Sequence, residues 1–137
     1  MPLLCLRGQP RNIGLIGGRL QGCPSSPNCV CSDDRASPHA IDPLHLLVDP
    51  AEAWEAALEA VRAAAGARIM TSTSDYLHAE YTSRYFGFVD DLELHLRPSE
   101  RVIAVRSASR LGYADFGVNR KRVEKLRTTL RERKIVR

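Results

Sequence analysis

Apolar residues along the chain follow two periods, and each marks its own elements. Trp54, Ala57, Leu58, Val61 and Ala65 recur at spacings of three and four, which places them on one stripe of a helix. Asp49 stands where an N-cap belongs, Pro50 at the first helical position and Glu52 three residues after the cap. Asp accepts a bond from an orphan N–H, Pro has no N–H to lose, and Glu returns the bond. Gly66 suits a left-handed stop. The spacing predicts a helix over 50–65. Val123, Leu126 and Leu130 give a narrower stripe to a last helix, from near Phe116 to about Lys134.

Between these helices the period is two. Residues 67–73 form a strand, Ser74 and Asp75 a turn, and 76–83 a second strand with Leu77, Ala79 and Tyr81 on one face. Phe86, Phe88, Leu92, Leu94 and Leu96 share the even parity of a third strand, while Tyr85, Glu93 and His95 fall on the odd, polar side. A turn over 98–101 leads to a fourth strand, 102–109. An earlier short strand over 43–48 carries Leu44, Leu46 and Leu47. Short turns imply antiparallel pairing. The expected fold is therefore α+β, a four- or five-stranded antiparallel sheet in β-α-β-β-β-β-α order with both helices on one face.

Residues 1–47 show neither period and are rich in Gly, Pro, Ser, Asn and Asp. They read as an irregular N-terminal arm packed on a single globular unit, 48–137. There is no internal repeat.

Composition narrows the function classes. At 137 residues and 44% hydrophobic content the chain fits one domain with a real core, which excludes disorder throughout. No apolar run approaches membrane-spanning length. An aromatic share of 6% argues against a stacking platform for single-stranded nucleic acid. The start of the chain lacks the shape of a secretory signal, because the apolar stretch 2–6 is short and Arg7, Arg11 and Arg19 follow. The chain as it stands reads as cytoplasmic, or as exported or membrane-attached if a leader precedes it.

The net charge of +4 is unevenly placed: residues 120–137 hold nine Lys or Arg and two Glu, so the rest is mildly acidic. A basic helix on such a body can meet a protein or an anionic surface. The plainer reading is a solvated helix face, since no specific nucleic-acid motif accompanies it.

Three segments carry chemistry. In Cys23-Pro24-Ser25-Ser26-Pro27-Asn28-Cys29-Val30-Cys31, two prolines stiffen the loop and bring Cys23 and Cys29 toward disulfide range. A zinc site using His39 or His45, a redox pair at Cys29 and Cys31, and plain thiols remain open alternatives. The Cys29-x-Cys31 spacing is poor for zinc. In the second segment, 86–93, strict alternation places Asp90 beside Phe88 and Leu92. A carboxylate there needs a cation, a cluster of N–H groups or a bulge. Asp90, Asp91 and Glu93 could also hold a divalent cation, though no glycine-bearing ligand loop surrounds them.

The third segment runs from a strand end through a glycine turn into a helix start. Arg106, Ser107, Ser109, Arg110, Asp115, Asn119 and Arg120 offer guanidinium, hydroxyl and amide groups beside helix N–H groups. Together these make a candidate anion pocket. A tight turn at Pro98 would set 90–93 opposite about 103–106. Asp90 or Asp91 could then reach Arg106, and Arg110 with Asp115 would close the same end of the sheet. No nucleotide-binding glycine loop, G-x-S-x-G or H-E-x-x-H occurs, so no cofactor or resident metal is expected.

Read together, Cys23-Pro-Ser-Ser-Pro-Asn-Cys-Val, Phe88-Val-Asp-Asp-Leu-Glu, and Arg106-Ser-Ala-Ser-Arg with Gly117-Val-Asn-Arg-Lys-Arg resemble a bacterial and chloroplast family known as a domain of unknown function, number 1499. The resemblance covers about residues 14–131. It supplies no reaction. Its members often look exported or membrane-attached, which implies a Cys23–Cys29 disulfide. Here Cys31 stands where the resemblance implies Ser.

Three functions compete. One is a module binding a small anion between arm and sheet through Arg106, Ser109, Arg110 and Arg120. A second is an enzyme, hydrolase-like or thiol- or metal-dependent, using Asp90 or Asp91 as base, or Cys29 and Cys31. The third is an interaction protein whose polar cluster fastens the arm. The absence of a placed catalytic motif favours binding or interaction over catalysis.

Overall fold

The computed structural model describes residues 8, 10, 12–35, 38–83 and 87–137. Strands β1 (Leu15–Ile16) and β2 (Arg19–Leu20) form a hairpin, followed by β3 (Cys29–Cys31) and β4 (Leu44–His45). Helix α1 (Pro50–Ala63) precedes β5 (Ala67–Ser72), β6 (Tyr76–Thr82), β7 (Val89–Arg97) and β8 (Val102–Ser109). Helix α2 (Val118–Glu132) ends the order. The main sheet is antiparallel and six-stranded, running β3-β8-β7-β6-β5, with β4 also on the β8 edge.

Asp49 caps α1 through its carboxylate, which accepts the Ala51 N–H at 3.1 Å, and Pro50 opens the helix. Trp54, Leu58 and Val61 share one buried cluster with Val123, Leu126 and Leu130 of α2 and with Leu92, Leu94, Ile103 and Val105 of the sheet. Both helices therefore cover one sheet face, as the two apolar stripes require. The Trp54 indole N–H donates to the Thr73 carbonyl at 3.1 Å, which satisfies its one polar atom. Gly66 follows α1 at φ +78°, and a Cβ there would lie 2.7 Å from the Thr82 carbonyl oxygen. Both the conformation and the close approach exclude a side chain.

The expected α+β class and helix placement hold, with corrections. The sheet has six strands rather than four or five, because Cys29–Cys31 within the arm pairs with β8. Three residues are too few to show a period. The strand expected over 43–48 is only Leu44–His45; beyond it Leu46 makes an isolated bridge to Val136. Strand β7 begins at Val89, after an exposed Phe88, while Tyr85 and Phe86 lie outside the described residues.

The register of β7 on β8 pairs Glu93 with Arg106 and Asp90 with Ser109. The expected pairing of 90–93 with 103–106 is off by three residues. Strand β7 runs on to Arg97, and the reversal is made by a 3₁₀ turn, Pro98–Glu100, closed by Arg101 in the left-handed region.

The second face of this sheet is polar and also buried. His78, Asp91, Glu93, His95, Arg97 and Arg106 lie there, each at most 9% exposed. The N-terminal segment covers them. Leu20 packs with Cys31 and Ala104, and Asp33 receives both Nη groups of Arg97. The Gly14 N–H donates to Glu93 Oε2 at 2.8 Å. A charged sheet face is thus buried under an arm whose own polar groups are spent on it, which is how buried charge is tolerated.

A candidate anion cavity under the N-terminal arm

Strand alternation divides the expected polar residues between two faces. Even positions of β8 put Arg106 beneath the arm, and Arg110, just past the strand, joins it. Odd positions put Ser107 and Ser109 toward α2. In β7, Asp91 and Glu93 face the arm and Asp90 faces the helix.

On the helix side, Asp90 forms an ion pair with Arg122 at 2.7 Å. Arg122 also donates to Ser107 and to Asn119 Oδ1, and its guanidinium lies 4.6 Å from the Tyr81 ring centroid. Asn119, fully buried, donates to Ser109, to the Asn28 carbonyl and to Asp115. Asp115 in turn accepts the backbone N–H groups of Gly117 and Asn119, which orders the start of α2. Burial works against the Asp115 charge, and these donors hold its carboxyl below the usual range. This network ties β3, β8 and α2 together through hydrogen bonds between its own members.

On the arm side, Asp91 accepts from Arg110 Nε at 2.8 Å and bonds His78 Nε2 at 2.7 Å, while Arg110 also reaches Glu80 at 2.6 Å. Burial alone would raise the Asp91 carboxyl, but Arg110 and His78 outweigh it and keep it below its ordinary value. The same carboxylates push Arg110 upward.

Arg106 is bonded differently. It is 1% exposed, and Nη1 lies 3.5 Å from Glu93 Oε1. Neither atom of that pair makes a hydrogen bond among the described residues, nor does Arg106 Nε. Among the described residues its guanidinium makes one bond, from Nη2 to the Gly22 carbonyl, at 3.5 Å. Burial pushes the Glu93 carboxyl up, against the bonds it accepts from Tyr76 and Gly14. Arg106 lines a cavity of about 100 Å³ together with Asn12, Ser26, Asn28, Ser109 and Arg110. That volume holds a few water-sized groups, so the space is polar, small and close to a guanidinium with unused donors.

The residues expected to form an anion pocket are divided between the two sides of the sheet. Arg106, Arg110 and Asp91 line the cavity, as does Ser109 at the end of β8, whose hydroxyl accepts from Asn119. Ser107, Asp90, Asp115 and Asn119 belong to the helix-side network. Arg120 lies apart, donating to the carbonyls of Pro38 and Ala40 at 2.9 Å. The pairing of Asp90 or Asp91 with Arg106 is replaced by Glu93, and Arg110 closes on Asp91 and Glu80 rather than Asp115. Both changes follow from the longer reach of β7.

Glu80 and His78 take part although no motif contains them, whereas Arg122 and Asn28 stand within the quoted motifs but not among the candidate site residues. Strand periodicity contained a signal for two of them. In 76–82, Leu77, Ala79 and Tyr81 point one way, so His78 and Glu80 must point to the polar face. Arg122 and Asn28 give no parity signal, and their bonds to Asp90 and to the Gly112 carbonyl span 32 and 84 positions.

Cys23 and Cys29 form a disulfide, with Cα atoms 5.7 Å apart. That removes the three-thiol zinc arrangement and the Cys29–Cys31 redox pair. Cys31 is a buried free thiol, and burial pushes its pKa up to about 11. No group of three or more His, Cys, Asp or Glu placed to hold a metal occurs among the described residues. A larger open groove, about 810 Å³, lies between α2 and residues 32–45. Its Arg120 and Arg127 bond neighbouring carbonyls.

A family model described as "Protein of unknown function (DUF1499)" matches residues 19–130, which include both networks and the disulfide. No curated protein and no solved structure matches the chain.

Proposed function

The chain belongs to this family of proteins of unknown function, and on that premise we propose that it is a non-catalytic module that binds a small oxyanion in the cavity beside Arg106. One observation carries the reading: a guanidinium 1% exposed leaves Nε and Nη1 without hydrogen bonds among the described residues while lining a cavity of about 100 Å³. An unsatisfied buried donor costs about 1–3 kcal/mol, and more when charged. An oxyanion in the cavity would take up those donors in the forked geometry that suits carboxylate or phosphate.

The size sets the ligand class. A cavity of about 100 Å³ admits phosphate, sulfate or a short carboxylate, but not a nucleotide. Asp91 in the wall and Glu93 beside Arg106 oppose extra negative charge, so a compact ion of low charge fits better than a polyanion.

Catalysis is the weaker reading. Asp90 and Asp91 are both held in ion pairs on opposite faces of the sheet, and Cys29 is oxidised.

Thermal melting tests the proposal. Millimolar phosphate, sulfate or acetate should raise the melting temperature of the wild type. Ser26→Asp places a negative charge at the cavity lining and should abolish that rise while leaving the ligand-free protein folded. Arg120→Ala should keep the rise. If none of the three ions stabilises the wild type, the cavity is not an anion site and the polar face is a clasp for the arm.

A further inference from the structure

The loop joining β8 to α2 exposes two aromatic side chains on a strained backbone. Phe116 is 91% exposed and Tyr113 70%, on adjacent turns of one short loop. Phe116 also adopts φ +53°, a left-handed conformation unfavourable for a bulky side chain. The loop is nonetheless built to hold this shape. Asp115 accepts the Gly117 and Asn119 N–H groups at 2.9 and 3.1 Å, which fixes the backbone on both sides of Phe116. The aromatic ring is thus presented to solvent by an ordered device.

Positive charge lies directly after it, beside the Asp115 carboxylate that accepts the Asn119 N–H. The first turn of α2 contains no acidic residue and carries Arg120 and Lys121. Cations at a helix N-terminus oppose the macrodipole, which favours carboxylates there. Lys121 and Lys125, four apart, are both exposed on the same side of the helix. Of the nine Lys or Arg from 120 to 137, Arg122 pairs with Asp90 and Arg127 is buried against Glu124, while Lys121, Lys125, Arg131 and Lys134 are exposed.

We propose that this loop and the adjoining face of α2 dock on an anionic lipid surface. The two aromatic rings would enter the headgroup boundary, and the exposed cations of α2, Lys121 and Lys125 first, would lie against the lipid charge. Charge complementarity chooses this occupant. The cations are spread along a helix rather than gathered at one point, as a diffuse anionic plane requires and a single acidic side chain does not. Among the described residues no helix is long and apolar enough to cross a membrane, so the contact is peripheral. It uses neither Arg106 nor a ligand in its cavity, although Gly112 of the same loop lines that cavity.

Cosedimentation of the full chain with vesicles tests this. Phosphatidylcholine vesicles containing about a third phosphatidylglycerol should bind it near physiological salt, and pure phosphatidylcholine should not. Tyr113→Ser with Phe116→Ser should weaken binding at least about tenfold, since each ring loses its apolar burial. Lys121→Gln should weaken it roughly fivefold, the value of one cation near such a surface. Neither change touches the core, so the melting temperatures should stay at the wild-type value, which separates lost docking from lost folding. The proposal is overturned if anionic vesicles fail to bind the wild type, or if binding survives loss of both rings. It is equally overturned if the rings instead mediate association between copies of the chain without lipid.

Discussion

Arg106 and Glu93 face each other in the buried polar layer at 3.5 Å, a distance at which they attract without sharing a hydrogen bond. The desolvation of both charges is then only partly recovered. Removing one partner strands the other, at a cost of about 3–5 kcal/mol. Arg106→Met should lose stability on that scale in urea denaturation. Glu93 softens the effect, because its carboxyl is already pushed up by burial and takes a proton more readily than an exposed one. Its folded value lies above its unfolded one, so protonation of Glu93 favours the folded state and that contribution is lost as pH rises through the folded value. The loss in Arg106→Met should therefore shrink as pH falls toward the ordinary Glu range. Adding Glu93→Gln to Arg106→Met should recover most of it at neutral pH. A double variant as unstable as the single one would show that the pair is not coupled. Much of this cluster could be read in the sequence: parity alone put Glu93 on the polar side. Its pairing with Arg106 could not, because the register depends on a 3₁₀ turn and a left-handed Arg101 that the residues 98–101 do not announce.

Among the elements, the helices were the most legible. The cap at Asp49, Pro50 and the Trp54–Leu58–Val61 stripe describe α1 almost completely, because local hydrogen bonds and a 3.6-residue period decide it. Strand β8 was equally plain as the apolar run that follows the turn over 98–101. Strand β3 was not, since its three residues are strand only by pairing with Ala108, Ser107 and Arg106, some eighty positions later. Trp54 bridges these parts: its ring packs in the core and its N–H reaches Thr73, which precedes β6. Trp54→Ala should cost about 3–5 kcal/mol, as for large buried aromatics. A denaturation midpoint within error of the wild type would remove Trp54 from the core.

Over the whole molecule, the sheet is buried on both faces by different means, apolar helices on one side and a polar, disulfide-stapled arm on the other. The staple holds the loop that borders the Arg106 cavity, since Cys23 and Cys29 flank Pro24, Ser26 and Asn28 of its lining. A loop this short is worth about 2 kcal/mol on the chain-entropy model. Reduction should lower the melting temperature and, by releasing the loop, weaken any anion effect. Cys31 should resist thiol reagents in the folded protein and react once urea unfolds it, because its thiol is buried and its pKa is pushed up to about 11. Rapid labelling of Cys31 without denaturant would mean that the arm opens.

The central claim, that the cavity beside Arg106 takes a small oxyanion, is tested most directly by a high-resolution crystal structure of the protein grown in phosphate. The account predicts a tetrahedral ion within hydrogen-bond distance of Arg106 Nε and Nη1. A cavity holding only water, or an Arg106 whose Nε and Nη1 are both bonded to Glu93 or the arm with no room left, would contradict it.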